Sequence, residues 1–187
     1  MGKKKLLKKR FKKPLGALIV ILSLFVVSMP FQNKRLHKKT LTGFIIKVSD
    51  GDTVVVAPTG NKRKFTCRLY GIDAPETEKP HKPGQPYGEA AASVLTEMIL
   101  RKTVRIELTG ERTYNREVCI ISLDGMDVNL EMIRKGYAWA YRKYLKGERA
   151  GRYIKAEKRA KSKGLGLWQN KNPIPPAKFK SLYWDKT

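Results

Sequence analysis

LTGFIIKVSDGDTVVVAPTGNKRKFTCRLY, residues 41–70, holds three β-rich runs divided by two turn sequences. Residues 41–48 read as a strand that ends at the turn former Ser49-Asp50-Gly51. Residues 53–57, TVVVA, are nearly all β-branched, and such side chains fit a pleated surface at little cost in rotamer freedom. PTGN at 58–61 is a hairpin turn signal, and residues 64–70 alternate polar or basic with apolar side chains at a period of two. The stretch is a three-stranded meander.

Outward from it the period changes. Residues 71–86 form a long loop rich in proline and charge, of a length that in compact domains is usually functional or mobile. Residues 87–100 place Ala91, Val94, Leu95, Met98 and Ile99 on one helical face. Residues 103–108 and 118–123 are strands. Residues 129–135 form a short helix closed by Gly136. Residues 147–163 form a basic helix stopped by Gly164, after which Leu165, Leu167 and Trp168 are expected to pack back on the core. About five strands with three helices predict an α+β domain, mainly β. The expected form is a small closed five-stranded barrel with helices at its ends, an oligonucleotide-binding (OB) type fold.

Charge narrows the partners. The 187 residues carry 40 Lys+Arg against 16 Asp+Glu, a formal +24. Residues 1–39 hold twelve of the basic residues and no acidic one, so half of the excess lies in the rest of the chain. A domain that basic faces a polyanion, either nucleic acid or an anionic membrane surface. Only His37 and His81 are present, which excludes a His-rich metal site or a two-histidine acid–base mechanism. His81 falls in the Lys/Pro-rich loop and reads as solvated. Cys67 and Cys119 lack zinc-site spacing. Both lie in apolar runs, so the expectation is two buried free thiols, with a Cys67–Cys119 pair as the alternative.

Residues 14–33 are an uncharged run of 20, apolar at the centre (LGALIVILSLFVVSM, 15–29). At about 1.5 Å per helical residue this matches a hydrocarbon core of about 30 Å. Eight Lys/Arg precede it and four follow, which by the positive-inside rule leaves the N-terminus in the cytoplasm and the domain outside. An uncleaved anchor is the expectation. A cleaved signal peptide, with secretion, is the alternative.

Chemistry concentrates in Asp50-Gly51-Asp52-Thr53, Arg68, Asp73-Ala74-Pro75-Glu76 and Tyr114-Asn115-Arg116. Asp50 and Gly51 read as turn formers. Asp52 stands at the mouth of an apolar strand, and Asp73 follows the apolar run 69–72, where an unpartnered carboxylate is costly. Two carboxylates at strand ends, with loop carbonyls and water, suit a hard cation such as calcium. Arg68 and Arg116, each in or before a strand, need anionic partners, and phosphate is one. Two arginines and one divalent cation meet the demand of phosphoryl transfer for fixed positive charge. Glu76, three residues past Asp73 across a stiff Ala-Pro, is placed to act as a general base for water.

The ordered set DGDT (50–53), RLYGIDAPE (68–76), Tyr-x-Arg (114–116) and VNLEMIRKGYAW (128–139) closely resembles the staphylococcal nuclease (thermonuclease) family. The resemblance spans residues 41 to 168. It implies a five-stranded OB barrel with three helices that hydrolyses DNA and RNA with Ca2+, leaving a 3′-phosphate and a 5′-hydroxyl. By motif, Asp52 and Asp73 would be calcium ligands. Ala74 would add a backbone carbonyl where the best-known member has threonine. Glu76 would be the general base, Arg68 and Arg116 the catalytic phosphate-binding pair, and Tyr114 and Tyr141 substrate contacts. Taken with the charge and hydrophobicity of the N-terminus, the expected organisation is a basic segment 1–13, an anchor or signal 14–33, a linker 34–40, a nuclease domain 41–170 and a tail 171–187. No obligate protein partner is inferred, and a monomer is expected.

One motif departs from the family pattern. Arg112-Thr113-Tyr114-Asn115-Arg116 stands where Asp-x-Tyr-Gly-Arg is common. Asn115 tolerates positive φ and could replace glycine at a turn. The loss of an acidic residue at Arg112 bears on the reach of Arg116. Two readings compete with a nuclease. A non-catalytic nucleic-acid-binding barrel needs the arginines but not an acidic metal site. A membrane-surface adaptor has no use for the carboxylates.

Overall fold

The computed structural model describes residues 39–60 and 62–184. The expected N-terminal anchor or signal helix, residues 14–33, lies outside them. Among the described residues no helix is long and apolar enough to cross a membrane.

Five strands close on themselves. β1 (Thr40–Asp50), β2 (Thr53–Pro58) and β3 (Phe65–Leu69) form the meander. After the two-residue strand β4 (Ile72–Asp73) and helix α1 (Gly88–Ile99), β5 (Thr103–Thr113) returns antiparallel to the first half of β1, and β6 (Arg116–Leu123) pairs with β5. β6 then lies parallel to β3, with Leu69 opposite Cys119, which shuts the barrel. Register shifts after Ile45 and Val48 mark bulges that let β1 bend between its two neighbours. Ile45, Val54, Val56, Leu69, Ile106 and Ile121 fill the interior, and Ala91, Leu95 and Ile99 of α1 cap it.

The closing seam corrects one expectation. Cys67 and Cys119 are joined by a disulfide across β3 and β6, with Cα atoms 6.0 Å apart, and are not free thiols. The apolar surroundings suggested burial correctly. The proximity came from a parallel pairing between strands about fifty residues apart, which local pattern does not encode. Closing a chain loop of that size contributes about 2–4 kcal/mol. Buried Asn129 reinforces the seam. Its amide donates to the Tyr70 and Cys119 carbonyls (3.1 and 3.2 Å) and its Oδ1 accepts the Ile121 N–H (3.1 Å).

Strand pair β5–β6 is longer than expected. The runs 103–108 and 118–123 extend to Thr113 and Arg116, which pair, so Tyr114-Asn115 is the tip of a projecting hairpin. The left-handed conformation falls on Tyr114 (φ 53°), not on Asn115. The long loop is also firmer than its composition suggested. Its start forms β4, paired with β8 (Trp139–Ala140), and residues 71–77 are buried. His81 is exposed, as expected.

Helix α2 (Val128–Arg134) follows the short strand β7 (Met126–Asp127), and Asp127 caps it by accepting the Leu130 N–H at 3.0 Å. α3 (Gly147–Ser162) packs on α2, and a 3-10 turn (Gly166–Gln169) buries Leu167 and Trp168, whereas Leu165 stays exposed. A fourth helix, α4 (Pro176–Tyr183), was not anticipated and lies in the segment read as a tail. Pro176 suits the first helical turn, where a missing N–H costs nothing.

Candidate active site

The β1–β2 turn sets Asp52. Asp50 and Thr53 pair, leaving Gly51-Asp52 between them, and the Asp50 carboxylate accepts the Asp52 N–H at 3.1 Å. Asp50 thus braces the turn and also lines the cleft described below. Gly51 is chosen for space: a Cβ there would lie 2.7 Å from the Cβ atoms of both Ala74 and Ala91. That close approach brings Asp52 against the chain after β4. Its Oδ2 accepts the Ala74 N–H at 2.8 Å and its Oδ1 the Thr53 hydroxyl at 3.0 Å.

Asp73 arrives from β4 and Arg68 from β3. The Arg68 guanidinium bridges the carboxylates, pairing with Asp52 through Nη1 and with Asp73 through Nη2 at 2.7 Å. Asp52 and Asp73 are 5% and 7% exposed. Burial pushes the Asp73 carboxyl above the ordinary carboxylate range and Glu76 adds to this, while Arg68 and Lys180 oppose it. Raised folded-state affinity for a proton has a definite sign. Its contribution to stability is present below the ordinary value near 3.8 and is lost as pH rises through the folded value. At neutral pH an ionised Asp73 thus costs stability.

Glu76, 8% exposed, is held at both ends. Its N–H donates to the Gln85 Oε1 (3.3 Å) and its carbonyl accepts the Gln85 N–H (2.8 Å). A Cβ on Gly88 would strike that same carbonyl, so glycine is required there. The carboxylate takes Lys180 Nζ on Oε1 at 2.7 Å and Lys79 Nζ on Oε2 at 3.3 Å.

These groups share a cleft of about 690 Å³, and every expected site residue except Ala74 lines it. Arg116 faces it from the start of β6, and among the described residues no carboxylate pairs with it. Tyr114 stands at the hairpin tip, 93% exposed. Arg112, the departure in this motif, pairs across the hairpin with Glu117 at 3.2 Å. Tyr141 is fixed by its N–H on the Gly71 carbonyl (2.8 Å) and by an edge contact with Tyr144, ring centres 5.0 Å apart.

Sequence reading missed Lys79, Gln85, Tyr144 and Lys180. Gln85 and Tyr144 carry no type-specific signal. Lys180 follows Phe179, whose spacing to Tyr183 on a Pro-initiated segment is a faint helical sign.

Among the described residues no three His, Cys, Asp or Glu side chains gather to hold a metal by themselves. The donor chemistry nevertheless suits a hard cation. Two buried carboxylates converge on one cationic group, here the Arg68 guanidinium, beside the Ala74 main chain. The cleft is lined by five acidic and five basic side chains, a neutral balance to which a bound divalent cation adds positive charge.

The family described as staphylococcal nuclease homologue matches residues 66–170. A Haemophilus influenzae protein named an uncharacterized endonuclease is 35% identical over 136 residues, 73% of this chain and 71% of its own length. A probable endonuclease of Komagataella phaffii is 34% identical over 190 residues, covering 86% and 81%. The thermonuclease of Staphylococcus intermedius is 29% identical over 165 residues, covering 82% and 96%. With its closed barrel, this chain belongs to the staphylococcal nuclease family.

Proposed function

We propose that the chain is a calcium-dependent nuclease that hydrolyses phosphodiester bonds in DNA or RNA and leaves 3′-phosphate ends. One observation carries the reading: Asp52, Arg68, Asp73, Glu76 and Arg116 converge on a single cleft from the β1–β2 turn, β3, the stretch 73–76 and β6. A binding barrel needs the cations but gains nothing from three buried carboxylates, which repel phosphate.

In this reading Arg116, with no carboxylate partner among the described residues, takes a phosphate oxygen, and Arg68 joins it by exchanging one of its aspartates. Both arginines then supply positive charge where the transition state gathers negative charge. Glu76 accepts the proton of the attacking water. Tyr114 and Tyr141 offer ring faces and hydroxyls to the strand. Asp52, Asp73 and the Ala74 carbonyl would hold a calcium ion, which would supply Lewis-acid polarisation of a phosphoryl oxygen when bound.

The proposal extends to location. Residues 14–33, flanked by Lys and Arg, hold the domain on the outer side of a membrane, with secretion after cleavage the alternative. The Cys67–Cys119 bond supports export, since disulfides persist in oxidising compartments. Protease treatment of intact cells should degrade the domain; full protection would refute an external location.

The activity test uses the full chain on long single-stranded DNA, in calcium and in excess chelator. Shortening in calcium alone, with 3′-phosphate ends, is expected. Persistent cutting in chelator would remove the metal from the account, and tight binding without cutting would favour the non-catalytic barrel.

A further inference from the structure

We propose that residues 171–184, beyond the span matched by the family, complete the active site, and that Lys180 is a positioning residue for Glu76. The inference rests on the reading of Glu76 as the general base.

Two hydrogen bonds bind this segment to the loop that carries Glu76. The Ile174 carbonyl accepts the Gln85 side-chain N–H at 2.6 Å. The Trp184 indole N–H donates to the Pro83 carbonyl at 3.1 Å, with the Lys79 and Lys82 ammonium groups 4.9 and 5.0 Å from the ring centre. Within α4 itself, buried Phe179 packs against Tyr183 with the rings tilted, ring centres 4.7 Å apart. Gln85 thus links the two segments directly: one end of its amide accepts from the Glu76 main chain and the other donates to Ile174.

So anchored, α4 delivers Lys180 Nζ to Glu76 Oε1, while Lys79 holds Oε2. With both oxygens engaged the carboxylate is fixed in rotation, which a base needs if it is to meet water in one orientation. The segment forms a wall and not a plug. Lys180 and Trp184 line the cleft, and its volume stays open beside them.

The test is a cycle of saturation kinetics on single-stranded DNA in calcium, using full-length wild type, Lys180→Met, Glu76→Gln and the double variant. Lys180→Met should lower kcat by about tenfold to 100-fold, the scale of a misplaced catalytic group, and leave KM within about twofold. In the Glu76→Gln background the same change should cost nothing further, because Lys180 acts only through Glu76. Lys180→Arg, which keeps the charge, should restore part of the rate. An unchanged or raised kcat in Lys180→Met overturns the inference, as does an equal loss in both backgrounds. If the wild type cuts DNA and Lys180→Met cuts equally well, only this inference falls. If the wild type does not cut in calcium, the nuclease reading fails and takes this inference with it.

Discussion

On one side of the cleft Asp52, Asp73 and Glu76 are each less than a tenth exposed, and every carboxylate is tied to a cation or a main-chain N–H. On the other, Tyr114 projects 93% exposed from a hairpin tip and Arg116 has no carboxylate partner among the described residues. The first wall spends burial and charge on fixing orientations, which matters for making and breaking bonds. The second leaves its groups open to a ligand, which matters for holding a strand. In the proposed reading one wall fixes its groups through the fold and the other leaves its groups to the substrate.

The strongest way to break this division is Glu76→Gln, which removes the base and keeps the shape. Turnover should fall by about 10²–10⁴ with binding to DNA retained; a wild-type rate would remove Glu76 from the mechanism. Next come the two arginines. Arg116→Ala should cost about 10²–10³ in kcat, the loss typical of one transition-state donor, and leave thermal stability unchanged. Arg68→Ala should lose rate and also stability, by about 3–5 kcal/mol, because two buried carboxylates are left facing each other. Equal melting behaviour of the two variants would erase the distinction between the walls. Tyr114→Ala should be smaller. A lost base-stacking contact of about 1–3 kcal/mol raises KM by about 5- to 150-fold with kcat little changed. A loss confined to kcat would place Tyr114 in the chemistry.

The two walls also differed in how far sequence revealed them. Asp52, Arg68, Asp73 and Glu76 sit in contiguous motifs at strand ends, where a charged residue beside an apolar run asks for a partner, and the structure brings them together. The barrel was legible for the same reason, since period-two runs and turn residues are local signals. What escaped depends on contacts distant in the chain. The Cys67–Cys119 bond needs β3 and β6 side by side. The positive φ at the hairpin tip falls on tyrosine because the extended strands place the turn one residue earlier than the Asn-for-Gly argument assumed. Lys180 meets Glu76 across 104 residues, through a helix whose only local signs are two prolines and an aromatic pair.

The central claim is that the buried cluster exists for function and not for stability, and Asp73→Asn tests it most directly. Burial makes ionised Asp73 costly at neutral pH, and Arg68 keeps Asp52 as a partner when that charge is removed. Thermal unfolding in chelator at pH 7 and cleavage in calcium are measured on the same preparation. The account predicts a melting temperature equal to or above that of the wild type, together with loss of cleavage. A melting temperature several degrees lower with cleavage intact would make the cluster a structural ion pair and contradict the account.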